Sequence, residues 1–168
     1  MSGEVSGCLP RRAVAADIPE IVRVVNLAYR VEDFFIRGDR TDAADIGARL
    51  ERPGARILVV DGDLAGSLAA AVYLEHRADR VWFGLLSVDP PRQGSGLARL
   101  LIDAVEADAR AAAVPLVEID VVDLRTELPA FYARLGYVQV GERPFPDPHK
   151  LTRPARMLVF RKRLEHAS

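Results

Sequence analysis

Cysteine is nearly missing from this chain: Cys8 is the only thiol in 168 residues. That excludes an internal disulfide and any cysteine-based zinc cage. Histidine is scarce too. His76, His149 and His166 fall at no metal-ligand spacing, so no metal is expected. Net charge is also lacking. Lys and Arg total 23 against 24 Asp and Glu, a balance of −1, without the basic excess of a nucleic-acid binder. No long apolar run exists either. Leu64 to Leu74 is the longest uncharged stretch in the first half, well short of the ~20 residues that span a bilayer. The start, Met1-Ser2-Gly3-Glu4, has neither the apolar segment of a secretory signal nor the Met-Gly of a myristoylation site. A cytoplasmic chain with no nucleic-acid or membrane partner is the expectation. What is present suits a folded domain: 49% hydrophobic and 28% charged residues, in a length typical of one domain of ~100–200 residues.

Residues 1–12 lack apolar periodicity and read as a flexible tail, leaving 13–164 as a single domain. Asp17-Ile18-Pro19-Glu20 reads as a helix start, with Asp as N-cap and Pro in the first turn. Ile21, Val24, Val25, Ala28 and Tyr29 follow at helical spacing and predict an inward face. A weaker helix fits Thr41 to Leu50, stopped by Pro53-Gly54. Arg56 to Val60, the turn Asp61-Gly62-Asp63, and Leu64 to Leu74 read as a hairpin. Val81 to Val88 is apolar on both faces, as a central strand is. A helix is predicted from Gly96 to about Ala113, with Leu97, Leu100, Leu101, Ala104 and Val105 inward, Asp108 interrupting, and Glu106 paired to Arg110 outside. Val114 to Val122 follows as a strand, and strand–helix–strand over this length implies a parallel crossover. A short helix, Glu127 to Leu135, has Pro129 in its first turn and Gly136 as its stop. Tyr137 to Val140 and Met157 to Phe160 are the last strands. The fold class is α/β (α+β): a mixed, mostly antiparallel sheet flanked by helices.

Chemistry concentrates in Val88-Asp89-Pro90-Pro91-Arg92-Gln93-Gly94-Ser95-Gly96-Leu97-Ala98, where a buried strand turns straight into a helix. Amides at a helix N-terminus lack partners, and the helix dipole favours an anion there. Glycines let a phosphate approach the backbone. Taken alone, they fit an anion site or an ordinary turn equally. A Walker loop fails because Gly96 is followed by Leu97-Ala98 and no lysine. A dinucleotide fingerprint fails because its third small position is Arg99.

The segment Gln93-Gly94-Ser95-Gly96-Leu97-Ala98 resembles the acyl-CoA loop of the GNAT superfamily of N-acyltransferases: Gln or Arg, two residues, Gly, one residue, Gly or Ala. An apolar strand ending Leu86-Ser87-Val88-Asp89-Pro90 precedes it, as in that family. Ala130-Phe131-Tyr132-Ala133-Arg134-Leu135-Gly136-Tyr137 resembles the family's helix bearing a catalytic tyrosine. The element order agrees from about Arg12 to Arg163.

That resemblance implies an acetyl-CoA-dependent N-acetyltransferase with a parallel crossover at the centre of its sheet. Amides of Gly94, Ser95, Gly96, Leu97 and Ala98 would cradle the pyrophosphate, with Gln93 beside them. The strand end Leu86, Ser87 and Val88 would pair with the pantetheine arm, and the Val88 N–H would polarise the thioester carbonyl. Tyr132 would protonate the departing thiolate, a transfer between groups of pKa ~10 and ~8.5. From the residues alone, a core aromatic is the simpler account of Tyr132. The acceptor is a small-molecule or peptide amine that attacks directly in a ternary complex. A homodimer is left open. A non-catalytic CoA-binding or regulatory module of the same fold is the alternative.

The general base is not legible. A lysine-like amine (pKa ~10.4) costs about 4.6 kcal/mol to deprotonate at pH 7, whereas an α-amine costs about 1. Glu118, Asp120 and Asp89 are the candidates, and the sequence singles out none. Many relatives of this kind carry asparagine seven residues before the tyrosine, where this chain has Arg125; it could meet a phosphate or pair with Glu127. Phe34 to Arg40 and the proline-rich Gly141 to Pro154 are expected to shape the acceptor side, or to be ordinary rigid loops.

Overall fold

The computed structural model describes residues 9–165; Cys8 and His166 lie outside them. Seven strands form one sheet: β1 (Arg11–Arg12), β2 (Ala55–Asp61), β3 (Leu68–His76), β4 (Arg80–Val88), β5 (Leu116–Val122), β6 (Val138–Pro144) and β7 (Arg156–Arg163). Their order is β1-β2-β3-β4-β5-β7-β6. Among the described residues only β4 and β5 run parallel, the geometry that a helical crossover dictates. Four α-helices flank the sheet: α1 (Ile18–Ala28), α2 (Ala43–Glu51), α3 (Leu97–Ala111) and α4 (Leu128–Arg134). The segment read as a tail ends inside the sheet, since Arg11 and Arg12 pair with Val59 and Leu58.

Two cores form on opposite faces. On one, α3 lays Leu97, Leu101, Ile102, Val105 and Ala109 against Val72, Phe83, Val117 and Ile119. On the other, Ile21, Val24 and Val25 of α1 and Ile46 of α2 cover Ile57, Val59, Leu68 and Tyr73. Each fully buried Leu, Ile or Val contributes roughly 1.5–3 kcal/mol. None of the described helices is long and apolar enough to cross a membrane.

Several local readings change once the neighbours are present. Asp17 does not cap α1. Its carboxylate accepts from the Val14 N–H at 2.8 Å and pairs with Arg11 at 2.9 Å. Asp42 caps α2 instead, accepting from the Asp45 N–H at 2.8 Å. Glu106 is not on the outside: it is buried, accepting from Tyr137 at 3.0 Å and Lys162 at 2.8 Å. The inward stripe of α3 is rotated accordingly, with Leu100 and Ala104 only partly covered. Asp108 breaks that stripe because Arg56 at 2.7 Å and His76 at 2.6 Å meet it from the sheet. Within the Phe34 to Arg40 segment, Phe35 is completely buried, while Phe34 beside it is exposed.

The parallel pair determines where a site can form. β4 and β5 pair only from Arg80↔Leu116 to Phe83↔Ile119, although the strands run on to Val88 and Val122. The divergence begins at a bulge: Leu85 and Leu86 together oppose Val72 of β3. Leu85 has φ +52°, a conformation that costs a leucine about 1 kcal/mol or more. The bulge bends β4 away from its neighbour and opens a wedge in the middle of the sheet.

Candidate active site

The wedge is a cleft of about 520 Å3, with α3, α4 and the turn after α1 around it. Leu86 and Val88 form its β4 wall, Ile119 to Val122 its β5 wall, and Gln93, Gly94, Gly96, Leu97 and Ala98 its mouth. Seven of the nine residues expected to hold acyl-CoA therefore line one space. The other two face elsewhere. Ser87 is buried, donating to the Leu85 carbonyl at 2.8 Å, and Ser95 donates to the Arg92 carbonyl. What either could still offer a ligand is backbone.

Backbone alternation explains what the β4 wall presents. The Asp89 N–H donates to the Ala69 carbonyl at 2.8 Å, and Val88 stands opposite Ala70. Val88 is thus at a non-hydrogen-bonded position with β3, so its N–H and C=O point to the opposite edge. That edge is where β5 has departed. Gln93 donates its side-chain amide to the Val88 carbonyl at 3.4 Å, which leaves the Val88 N–H as the free group facing the wedge.

At the mouth, Gly94 and Gly96 have φ +81° and +85°, and Gly96 leads directly into α3. Only glycine takes such angles without penalty. The first backbone amide to find a backbone acceptor is that of Leu100, which bonds to Gly96 at 3.0 Å. Among the described residues, no acceptor meets the amides from Gly94 through Arg99. A row of unmatched N–H groups at the start of a fifteen-residue helix suits a pyrophosphate.

Tyr132 hangs from α4 into the cleft, with 3% of its surface exposed. Phe83, Phe131, Tyr137 and Phe160 surround its ring. Burial first, and Tyr29 second, push its phenol well above the ordinary value of 10. α4 ends sharply at Gly136 (φ +93°), and the Tyr137 amide folds back to the Tyr132 carbonyl at 3.0 Å.

The three candidate bases separate clearly. Glu118 is fully buried and bound by Arg161 at 2.6 Å, Arg143 at 2.8 Å and Arg80 at 3.2 Å. Despite its burial, these cations hold its carboxyl below the ordinary range. Asp89 is paired with Arg23 at 3.2 Å and does not line the cleft. Asp120 does line it. Its Oδ2 accepts from Trp82 Nε1 at 3.3 Å and Arg143 at 3.4 Å. Its Oδ1 is buried with no partner among the described residues. Burial raises its carboxyl above the ordinary 3.8, with Glu118 adding to the effect against Arg143.

The cleft is also lined by Tyr29, Glu32 and Met157, to which sequence reading assigned no site role, and by Phe145, from the Gly141 to Pro154 segment expected to shape the acceptor side. Ala28 and Tyr29 continue the apolar stripe of α1 and line the cleft, and Tyr29 also packs against the core beneath α1 and α2; nothing in helical periodicity separates the two surroundings. Arg125, at the position where an asparagine is common, donates to Glu127 at 2.6 Å and to buried Glu32 at 3.1 Å. The pairing with Glu127 was one of the two readings of Arg125. The Glu32 partner lies 93 positions away in sequence and carried no local signal.

Residues 21–137 match the sequence model of the Acetyltransferase (GNAT) family. The chain belongs to that family. Its structure is similar to the ribosomal-protein-S18-alanine N-acetyltransferase of Escherichia coli, with a TM-score of 0.76 and 15% identity over 96% of each chain. A GNAT superfamily phosphinothricin acetyltransferase from Sinorhizobium meliloti, solved with AcCoA, superposes with a TM-score of 0.74 at 15% identity, covering 94% of this chain and 88% of that one. The ribosomal-protein-alanine N-acetyltransferase of Brucella melitensis gives 0.73 at 22% identity, covering 93% and 99%. At these identities the likeness is one of fold. No curated protein matches the sequence significantly.

Proposed function

We propose that this chain is an N-acetyltransferase that moves an acetyl group from acetyl-CoA to a primary amine by direct attack. The observation that carries the reading is the row of unmatched amides from Gly94 to Arg99 opening into the same wedge as the Val88 N–H and Tyr132. Acetyl-CoA supplies a thioester carbonyl and a thiolate leaving group. The amides hold the pyrophosphate, while the free edge of β4 at Leu86 and Val88 holds an extended chain by strand addition. The Val88 N–H donates to the carbonyl oxygen as it gains negative charge.

Asp120 is the group placed to take the proton from an ammonium, since it lines the cleft with an unpartnered oxygen and burial raises its affinity for a proton. Tyr132 is protonated at the outset and gives its proton to the sulfur as the C–S bond breaks, and the phenolate regains one from the second N–H proton that the new amide nitrogen sheds. Its raised pKa does not oppose that transfer, because the same dry surroundings disfavour a thiolate as they disfavour a phenolate.

Thermal stability should rise with acetyl-CoA and not with ATP or NAD. Ligand at about 100 times Kd adds about 2.7 kcal/mol to the folded state. Release of free CoA thiol in the presence of an amine panel then separates the enzyme from a non-catalytic CoA-binding module, which would be stabilised without any transfer. A flat response to millimolar acetyl-CoA would refute both.

A further inference from the structure

We propose that the acceptor is an amine carrying a carboxylate close to its amino group, and that Arg40 is the residue that binds this carboxylate. The inference rests on the acetyltransferase reading and names its substrate class. Arg40 follows the turn after α1 and lines the wedge together with Asp120 and Tyr132. It also lines two adjoining cavities of about 230 and 450 Å3, so it stands where the cleft opens toward the α1–α2 side of the sheet.

Arg40 is partly buried, yet among the described residues no hydrogen bond or ion pair engages its guanidinium. Its neighbours explain this. The Tyr29 ring lies 4.9 Å from the guanidinium carbon, a cation–π contact that holds the group in place without taking up its N–H donors. The carboxylate that shares the cleft with it on this side is Glu32, whose charge feels both Arg40 and Arg125. Glu32 is claimed by Arg125 at 3.1 Å and stays beyond ion-pair distance of Arg40. Asp39, adjacent in sequence, lines the two side cavities and not the cleft.

The wedge therefore offers both signs of charge. Asp120 presents an unpartnered carboxylate oxygen for an ammonium, and Arg40 presents a guanidinium with no hydrogen-bonded or ion-paired partner among the described residues for an anion. A guanidinium fork in a sheltered place matches a carboxylate with two parallel hydrogen bonds. A polycationic amine would instead place like charge beside Arg40, which disfavours it.

The test uses amine pairs that differ only in the carboxylate: L-amino acids against their primary amides, and γ-aminobutyrate against butylamine. In the full-length protein with saturating acetyl-CoA, kcat/KM should favour the best carboxylate-bearing partner by about tenfold or more, the scale of a hydrogen-bonded charge. Arg40→Gln should collapse that ratio toward one, mainly by raising KM for the carboxylates. Arg40→Lys should restore part of it, since charge returns without the fork. Arg37→Gln, at an exposed arginine outside the cleft, should keep the ratio. Thermal stabilisation by the preferred carboxylate in the presence of CoA should disappear in Arg40→Gln. Equal use of amides and carboxylates, or a ratio unmoved by Arg40→Gln, overturns the inference and leaves the acetyltransferase reading standing. Binding of acetyl-CoA with no transfer to any amine overturns both.

Discussion

Tyr132 and Asp120 reach the cleft from opposite sides of the chemistry, and burial shifts both in the same direction. For Tyr132 the shift keeps the phenol protonated over the whole usable pH range. Tyr132→Phe should lower kcat by about 10²-fold or more while leaving acetyl-CoA affinity almost unchanged, as calorimetric titration would reveal; unaltered turnover would remove the phenol from the mechanism. For Asp120 the shift moves loss of the base to higher pH than an ordinary aspartate would show. The acid limb of log kcat against pH should therefore lie above 3.8, with activity falling as pH drops through it. Asp120→Asn should abolish the limb and cut kcat by about 10²-fold. Persistence of the limb in that variant would assign it to another group. Tyr132 was legible from its place in a motif. Asp120 was legible only as one of three carboxylates, because what separates them is the arginines that converge on Glu118 and the single arginine on Asp89.

At the scale of elements, the bulge in β4 turns a sheet into a site. The sequence Val81-Trp82-Phe83-Gly84-Leu85-Leu86-Ser87-Val88 reads as an uninterrupted central strand, and its propensities are those of one. Nothing in it marks Leu85 as left-handed, since leucine is a poor residue for that conformation; the strain is borne because Leu85 is buried beneath α1. Gly84 is informative beside it. A methyl group there would come within 2.6 Å of the Trp82 indole, and Trp82 donates to Asp120. Gly84→Ala should displace the indole at a cost of about 1–3 kcal/mol. The chain's single tryptophan should report this as a changed emission maximum. Loss of the Trp82 donor should also carry the acid limb of Asp120 further upward. An unchanged emission maximum together with an unchanged limb would dissociate Trp82 from the site. By contrast, the Gly94 to Ala98 loop was readable from sequence because it is contiguous: positive φ at a helix start calls for glycine, and the motif around the glycines carries the resemblance that separates an anion site from an ordinary turn.

Across the whole molecule, the C-terminal half is tied to the centre of the sheet through a buried charge cluster. Glu118 on β5 joins Arg80 on β4, Arg161 on β7 and Arg143 on β6. Glu118→Gln leaves those cations without their partner and should destabilise the fold by about 2–3 kcal/mol. That is below the 3–5 typical of a broken buried pair, because the arginines reach solvent. Since the folded-state pKa of Glu118 is depressed, its stabilisation is complete above the ordinary 4.5 and is lost as pH falls toward the folded value. Acid unfolding of the parent should thus steepen below about pH 4.5, and Glu118→Gln should flatten that slope. A variant with the parent's acid transition would show the cluster to be of no consequence. The amino-acid sequence alone determined the four helices, the strands from β2 onward, the parallel crossover, the glycine-bearing loop at the start of α3 and the tyrosine helix. Each of those follows from periodicity, from glycine at left-handed positions, or from a contiguous motif, all of which are local. Tertiary structure decided the wedge, the separation of the three carboxylates, and the Glu32–Arg125 pair that stands beside an Arg40 without a hydrogen-bonded partner among the described residues. These depend on which distant residues share a small volume, and that is a property of packing which no short stretch of chain records.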